Sequence, residues 1–211
     1  MLFRSDEQWP TVTIMVAAYN EEAVIGDCLD SLAKLDYPEG RLDVLVINDR
    51  SRDDTRAIVD GRVAMYGGRI RALHRDFDAK PGKPAAMADG LKTVTSDVLV
   101  FFDADYLPDP QLLKKLVAPF VDPQVGATMG RVVPYNTDAN VLTRLLDVER
   151  RGGYTVDQAA RGRLNLLPQF GGTVGGIRVA AMNEVGGWSA DTLAEDTDVT
   201  YRLFIGGYTV E

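Results

Sequence analysis

The residues of this sequence that most directly suggest a chemical role are Asp103 and Asp105, two aspartates separated by one residue. They follow the apolar run 97–102, which predicts a buried strand. Two carboxylates at the end of such a strand can share one divalent cation, and oxygen-only ligands suit Mg²⁺ or Mn²⁺ better than Zn²⁺. Because Mg²⁺ usually completes its shell with substrate phosphates, the pair implies a diphosphate-bearing ligand. The alternative is a pair of solvated turn residues before Pro108.

Other residues could complete such a site. Asp49 ends a second apolar run, where it could accept hydrogen bonds from a nucleobase or ribose, or cap the next helix. Lys83 begins a predicted helix, and a lysine beside unpaired backbone N–H groups makes an anion site. Glu195 and Asp196 open a later helix, where one of them could serve as a general base or both could simply complement the helix dipole. Trp188 could line a sugar pocket, because an aromatic face suits the apolar face of a pyranose.

Composition excludes several classes of protein. The chain carries 31 acidic and 23 basic residues, a net charge of −8, and no basic stretch, which argues against nucleic acid as a partner. Its single cysteine, Cys28, and single histidine, His74, exclude an intrachain disulfide and any multi-cysteine or multi-histidine metal site. No apolar run reaches the roughly 18 residues that cross a bilayer, so we expect this chain to be soluble and cytosolic.

The elements that must position these residues alternate regularly in the first half of the chain. The pattern predicts strands at 12–18, 43–47, 69–74 and 97–102, and helices at 22–35, 53–66, 83–94 and 109–121. This order implies an α/β fold with a parallel sheet and helices on both faces. Ligands of such sheets bind outside the carboxyl ends of the strands, so we expect the polar residues that follow each strand to converge on one rim.

The second half of the sequence is less regular. It predicts a strand at 126–133, a helix at 139–160 interrupted by glycines, a glycine-rich segment at 164–179, a helix at 195–205 and a final strand at 208–211. Because the chain stops within that last strand, we expect one domain, 1–211, that is incomplete at its C-terminal end. Its nucleotide-binding half would span about 11–107 and its acceptor-side half about 108–211.

Five motifs in this order resemble those of the family 2 nucleotide-sugar glycosyltransferases. They are the segments 16–21, 46–51, 82–83, 103–105 and 195–198. The likeness is strongest to the membrane-bound branch that includes cellulose, chitin, hyaluronan and poly-N-acetylglucosamine synthases, and it runs from about residue 11 to the end. The resemblance implies a GT-A fold and inverting, metal-dependent transfer of a sugar from a nucleoside diphosphate, preferably UDP. The acceptor would be the hydroxyl of a saccharide or lipid-linked molecule in polysaccharide or glycolipid synthesis.

The resemblance also assigns roles to individual residues. The nucleotide would be held by Ala18, Tyr19, Glu21, Asp49, Lys83 and Asp103. The Mg²⁺ or Mn²⁺ ion would be held by Asp103 and Asp105. Asp196 would be the base that takes the proton of the acceptor hydroxyl. The loop 170–173 would lie near the donor sugar and the acceptor, so the candidate sugar contacts are Gly172, Thr173, Trp188 and Glu195.

Three departures from the family pattern matter. The family usually has an acid where Asn48 stands and often a glycine where Arg50 stands. The Gln-x-x-Arg-Trp motif of the branch, which contacts the acceptor and the diphosphate, does not occur in the sequence. We expect it beyond residue 211, with membrane-spanning helices flanking the domain, so that the full protein works at the cytoplasmic face of the cell membrane through segments absent from this chain. Without the motif, the chain should bind its donor weakly and transfer poorly or not at all.

Two other functions fit parts of the sequence. A sugar-phosphate nucleotidyltransferase would need a glycine-rich loop with Arg and Lys after the first strand, where this chain has Tyr19 to Glu22. A non-catalytic nucleotide-sugar-binding module is the second alternative. The presence of Asp103, Asp105 and Asp196 argues against it.

Overall fold

The computed structural model describes residues 5–158, 160–161, 164, 166, 171–189 and 194–211. Within these ranges seven strands form one sheet with the order β3-β2-β1-β4-β6-β5-β7. The strands are β1 (Val12–Ala18), β2 (Leu42–Asn48), β3 (Ile70–His74), β4 (Val98–Asp103), β5 (Val125–Met129), β6 (Gly175–Arg178) and β7 (Thr209–Val210). The predicted bounds of β1 match the observed ones. The predicted bounds of the next three strands differ from the observed ones by no more than one residue at each end.

The helices connect these strands. They are α1 (Ile25–Ala33), α2 (Thr55–Met65), α3 (Lys83–Leu91), α4 (Leu112–Val117), α5 (Val141–Gly152), α6 (Val179–Glu184) and α7 (Glu195–Ile205). A 3₁₀ turn, Ala118–Val121, continues α4, and a π-helical turn, Gly153–Gln158, continues α5. A short 3₁₀ turn, Asp6–Gln8, precedes β1. In the described ranges, none of the helices has both the length and the apolar composition that spanning a bilayer requires.

The sheet separates two apolar cores. Along β1, Ile14 and Val16 face a core that α1, α2 and α4 complete, whereas Met15 faces a second core built with α3, α6 and α7. This alternation follows from the two-residue period of a strand. Helices therefore cover both faces of the sheet, and the predicted α/β GT-A-type fold is confirmed.

The parallel part of the sheet brings the ends of four strands to one edge. β1 pairs in parallel with β2 and with β4, and β2 pairs in parallel with β3. The register places Ala18 beside Asn48, and Asn48 beside His74. Ala17 lies beside Asp103 on the other side of β1. Residues that follow these strands are consequently neighbours in space.

The second half of the sheet contains a strand that the sequence pattern did not predict. β6 lies antiparallel between β4 and β5, inside the glycine-rich segment, and α6 follows it directly. A Cβ at Gly176 would lie 2.8 Å from Thr128 Oγ1 and 3.1 Å from the Phe120 ring, so close packing requires glycine here. Glycine lowers strand propensity, which is why the pattern favours a loop. The predicted strand 126–133 is also shorter than expected and ends at Met129.

Candidate active site

A cleft of about 350 Å³ opens at the carboxyl ends of β1, β2 and β4. Its lining residues are Ala17, Ala18, Tyr19, Glu21, Asp49, Lys83, Asp103, Ala104 and Asp105. The structure thus brings together every residue predicted to hold the nucleotide and the metal ion. A larger cleft of about 840 Å³ lies at the opposite end of the strands, near Thr11 and Arg69, and none of the predicted residues lines it. Since open parallel sheets bind ligands at the carboxyl ends, the smaller cleft is the candidate site.

Backbone hydrogen bonds to side chains fix the rim of this cleft. The loop after β1 passes through Asn20 with a φ of 56°. The Asn20 amide donates to Ser51 Oγ at 3.0 Å, and the Glu21 amide donates to Thr55 Oγ1 at 2.8 Å. These bonds join the loop after β1 to the loop after β2, so the positions of Tyr19 and Glu21 are set before any ligand binds.

Asp49 is buried under the cleft and is the centre of a charged cluster. Its Oδ1 accepts hydrogen bonds from Arg50 Nε at 2.9 Å and from Arg75 Nη1 at 2.6 Å, and its Oδ2 accepts one from the Gly82 amide at 3.1 Å. Burial alone would raise the pKa of Asp49, but the hydrogen bonds from Arg50, Gly82 and Arg75 outweigh it and hold that pKa below its usual range. Through Gly82, the ionised Asp49 fixes the start of α3 and therefore Lys83.

Arg75 is the residue of this cluster to which the sequence assigned no role. Its side chain is 3% exposed and also contacts Asp89 through Nε at 2.8 Å. Arg75 directly follows β3 as Asp49 directly follows β2, and these strands are parallel neighbours, but the sequence does not specify the register that brings the two side chains together. Arg50 has a φ of 63°, a conformation that glycine adopts most easily, which accounts for the glycine common at this position in the family.

Asn48, another departure from the family pattern, forms a hydrogen bond with a histidine. Its Nδ2 donates to His74 Nδ1 at 3.1 Å, and His74 Nε2 lies 2.9 Å from Asp60 Oδ1. An amide at position 48 therefore begins a chain of polar contacts that runs through His74 to Asp60. His74 lies in the strand β3, as predicted.

Carboxylates concentrate negative charge at the mouth of the cleft. Burial, followed by the charges of Asp105, Asp53 and Asp103, raises the pKa of Glu21. Lys83 Nζ lies 2.5 Å from Asp103 Oδ1, and both side chains are less than half exposed. Among the described residues no group of three His, Cys, Asp or Glu side chains forms a metal site. Two carboxylates fit an Mg²⁺ or Mn²⁺ ion that takes its other ligands from a diphosphate.

Asp196 does not line this cleft, and neither do Gly172, Thr173 and Glu195, but two contacts link Asp196 to the end of β4. The Asp103 amide donates to Thr173 Oγ1 at 3.3 Å. A Cβ on the preceding residue, Gly172, would lie only 2.9 Å from Asp196 Oδ2. Two consecutive residues thus join the end of β4 to the first turn of α7, and the role of this loop in binding the donor sugar and the acceptor stays a prediction.

The acids at the start of α7 differ in their partners. Asp198 Oδ2 forms an ion pair with Arg202 Nη2 at 2.7 Å. In the described part of the chain no basic side chain lies within 4.0 Å of Asp196, whose Oδ1 accepts the Thr197 amide at 2.6 Å. Glu195 is half-buried beside it. The ion pair therefore sets Asp198 apart from the other two acids, and the role of Asp196 as the base stays a prediction.

The structure does not place Trp188 in the cleft of Asp103 and Asp105. Its indole stacks on Phe101 with ring centroids 5.2 Å apart and packs against the second core. It borders a separate hollow of about 300 Å³ that it shares with Met182. The large apolar area of the indole explains this position, and the expected sugar contact of Trp188 stays a prediction. Phe170, at the start of the predicted sugar loop, lies outside the described residues.

Comparison with known proteins agrees with this geometry. The family model described as "Glycosyl transferase family 2" matches residues 13–185. Beta-monoglucosyldiacylglycerol synthase of Synechocystis is 34% identical over 209 residues, which are 96% of this chain and 42% of the relative. Glucomannan 4-beta-mannosyltransferase 7 of Arabidopsis thaliana is 28% identical over 95% of this chain and 37% of its own length. The chain therefore spans less than half the length of these relatives.

A solved structure has the same architecture over the whole chain. The mannosyltransferase of Pyrobaculum calidifontis, determined with GDP-Man and Mn²⁺, superposes with a TM-score of 0.81 at 25% identity and covers 99% of this chain and 56% of that one. The matched family model extends over most of the sequence and includes β1 to β6. The chain belongs to glycosyl transferase family 2.

Proposed function

We propose that this chain is the catalytic domain of an inverting, metal-dependent glycosyltransferase. It transfers a sugar from a nucleoside diphosphate to the hydroxyl of an acceptor. The observation that carries the proposal is the placement of Asp103 and Asp105 in one cleft with Lys83, and their link to Asp196 through Thr173 and Gly172. The Mn²⁺ and GDP-Man in the Pyrobaculum structure support a nucleotide sugar and a divalent ion as ligands.

The first half of the domain, about 11–107, binds the donor in this proposal. Tyr19 and Glu21 flank the nucleoside on the fixed rim, and Asp49 lies beneath it. The Arg50 side chain, 18% exposed against 3% for Arg75, is the partner of Asp49 that a nucleobase can replace. Arg75 remains and keeps the carboxylate ionised.

The leaving diphosphate would lie between Lys83 and the aspartate pair, so the ion pair of Lys83 with Asp103, 2.5 Å long in the structure, would open as the donor binds. Asp103 and Asp105 would hold an Mg²⁺ or Mn²⁺ ion, and such an ion would supply positive charge to balance the departing phosphate. Lys83 adds a positive charge, and its position at the start of α3 adds backbone N–H groups that favour an anion.

The acceptor-side half, about 108–211, supplies the base. Asp196 accepts the proton of the acceptor hydroxyl, and the oxygen of that hydroxyl bonds to the anomeric carbon. The bond from the anomeric carbon to the diphosphate oxygen breaks at the same time. A single displacement inverts the anomeric configuration. One carboxylate base is enough, in contrast to the paired carboxyl groups of a glycosidase. Three properties remain predictions: a preference for UDP, an acceptor that is a saccharide or a lipid-linked molecule, and a location at the membrane.

Calorimetry with UDP and GDP, each with and without Mn²⁺, tests the donor site. We expect nucleotide binding that requires Mn²⁺ and is lost in Asp105→Ala. The control is Asp138→Ala, which removes a carboxylate that is 95% exposed and does not line the cleft. Binding that survives without Mn²⁺ and in Asp105→Ala would favour a nucleotide-sugar-binding module over the proposed enzyme.

A further inference from the structure

Helix α5 exposes its apolar side chains and buries a charged one, which is the reverse of an ordinary surface helix. Its single buried side chain is Asp147, which forms an ion pair with Arg151 at 2.7 Å. Its apolar side chains, which we call the α5 patch, are 44–72% exposed: Val141, Leu142, Leu145, Leu146 and Val148. A helix that packs its apolar stripe on the core shows the opposite arrangement. In the part of the chain that the structure describes, the patch is therefore open to a partner.

The charges around the α5 patch favour an anionic partner. At 100° per residue, Arg144 and Arg151 lie on one side of the patch and Arg150 lies on the other. Residues 131–163 contain six arginines and four acids, although the whole chain has a net charge of −8. An apolar helix face bordered by basic residues is characteristic of helices that lie in the headgroup region of a bilayer. Glu149 is the one acid within the face.

Another cleft, which we call the second cleft, borders both helix α5 and the candidate active site. It measures about 740 Å³, its lining includes Arg150 of α5, and it shares one described residue, Asp105, with the donor cleft. Tyr106, Leu107 and Tyr135 give it largely apolar walls. Tyr135 is 93% exposed, so the apolar surface continues from the cleft toward the helix.

We propose that the α5 patch docks on a bilayer that contains anionic lipid, with the second cleft open toward that surface. Anionic headgroups would attract the flanking arginines, of which Arg144 and Arg151 also pair with Asp138 and Asp147, while the apolar side chains enter the interface. A second copy of the chain would instead bring two sets of arginines together, which like-charge repulsion disfavours. If the proposed function is correct, docking would place an acceptor hydroxyl carried by a lipid at the entrance that leads to Asp105.

Flotation with vesicles tests the docking surface directly. The 211-residue chain is mixed with vesicles of phosphatidylglycerol and phosphatidylcholine, or of phosphatidylcholine alone. We expect flotation with the anionic vesicles only, weakened by salt, and a fall in affinity of about tenfold or more in the double variant Leu142→Ser/Leu145→Ser. Glu149→Gln should bind more tightly. The matched control, Met65→Ser/Ile205→Ser, removes two side chains that are 66% and 81% exposed outside the patch and should bind like the unmodified chain.

Several results would overturn this proposal. It fails if the chain does not float with anionic vesicles, or if Leu142→Ser/Leu145→Ser floats as well as the control. It also fails if light scattering shows a dimer that this variant dissociates while vesicles remain unbound, since the occupant is then a second copy. Calorimetry with Mn²⁺ and UDP on the same samples separates the two proposals. Intact nucleotide binding without flotation refutes docking alone, whereas flotation without nucleotide binding refutes the proposed function.

Discussion

Replacing Gly172 by alanine should disturb Asp196 without disturbing the donor site. The new Cβ would lie 2.9 Å from Asp196 Oδ2 and 3.3 Å from Asp196 Cβ, closer than real Cβ contacts allow, so the carboxylate must move. Gly172 also has a φ of 65°, at which alanine costs about 1 kcal/mol relative to glycine. Gly40→Ala is the matched control, because Gly40 has a φ of 72° and open space around the added methyl group.

The comparison of the two variants isolates the contact with Asp196. Both should lose about 1 kcal/mol of unfolding free energy in urea, from the backbone cost alone. Displacing a catalytic group by about 1 Å can cost on the order of 10² in rate. In the slow turnover expected of this chain without the Gln-x-x-Arg-Trp motif, Gly172→Ala should release nucleoside diphosphate from a sugar donor about tenfold to a hundredfold more slowly than Gly40→Ala. Its affinity for nucleotide with Mn²⁺ should stay within about twofold of the unmodified chain.

A second readout does not depend on turnover. The Thr197 amide donates to Asp196 Oδ1 at 2.6 Å, so its NMR chemical shift reports the position of that carboxylate. The shift should change in Gly172→Ala and stay constant in Gly40→Ala. Equal turnover and an unchanged Thr197 amide in Gly172→Ala would refute the placement of Asp196 beside this loop.

Two further predictions concern buried groups around the site. Arg75→Met should lower the free energy of unfolding by about 3 kcal/mol near neutral pH, because it leaves the buried Asp49 without one of its cations. The lowered pKa of Asp49 stabilises the fold above the ordinary aspartate pKa, and this stabilisation is lost as the pH falls through the folded value. The difference in unfolding free energy between the unmodified chain and Arg75→Met, measured in urea, should therefore become smaller as the pH falls. A difference that does not depend on pH would contradict the role of Arg75. Burial, together with the charges of Asp105 and Asp103, raises the pKa of the Cys28 thiol to about 12, so a thiol reagent at pH 8 should label the folded chain only as it unfolds. Rapid stoichiometric labelling of the folded chain would show that Cys28 is accessible.

The sequence predicted best those elements whose limits have a local cause. The apolar run 12–18 is covered on both faces, and its bounds match β1. Helix α7 begins at the acidic residue Glu195 and ends before Gly206, and its bounds match as well. Strand β6 could not be predicted, because Gly176 is required by the approach of Thr128 and Phe120, which lie far from it in sequence.

The contacts of the candidate site also divide into those that the sequence predicts and those that depend on distant residues. The meeting of Asp49 with Asp103 and Asp105 was predictable, because parallel strands end at a common edge. The ion pair of Asp49 with Arg75 depends on the register between β2 and β3, which the sequence does not specify. The outward apolar face of α5 was also unpredictable, since an amphipathic pattern does not state which side packs on the fold.

The central claim is that one cavity holds the cation between Asp103 and Asp105 and also receives Asp196. Paramagnetic broadening of amide NMR signals by Mn²⁺, bound together with UDP or GDP to the isotope-labelled chain, measures this directly. We predict strong broadening at Asp105, Gly172 and Asp196, and weak broadening at Gly40 and Gly68, which line the cleft at the opposite end of the strands. Strong broadening at Asp105 with Gly172 and Asp196 no more affected than Gly40 would contradict the claim.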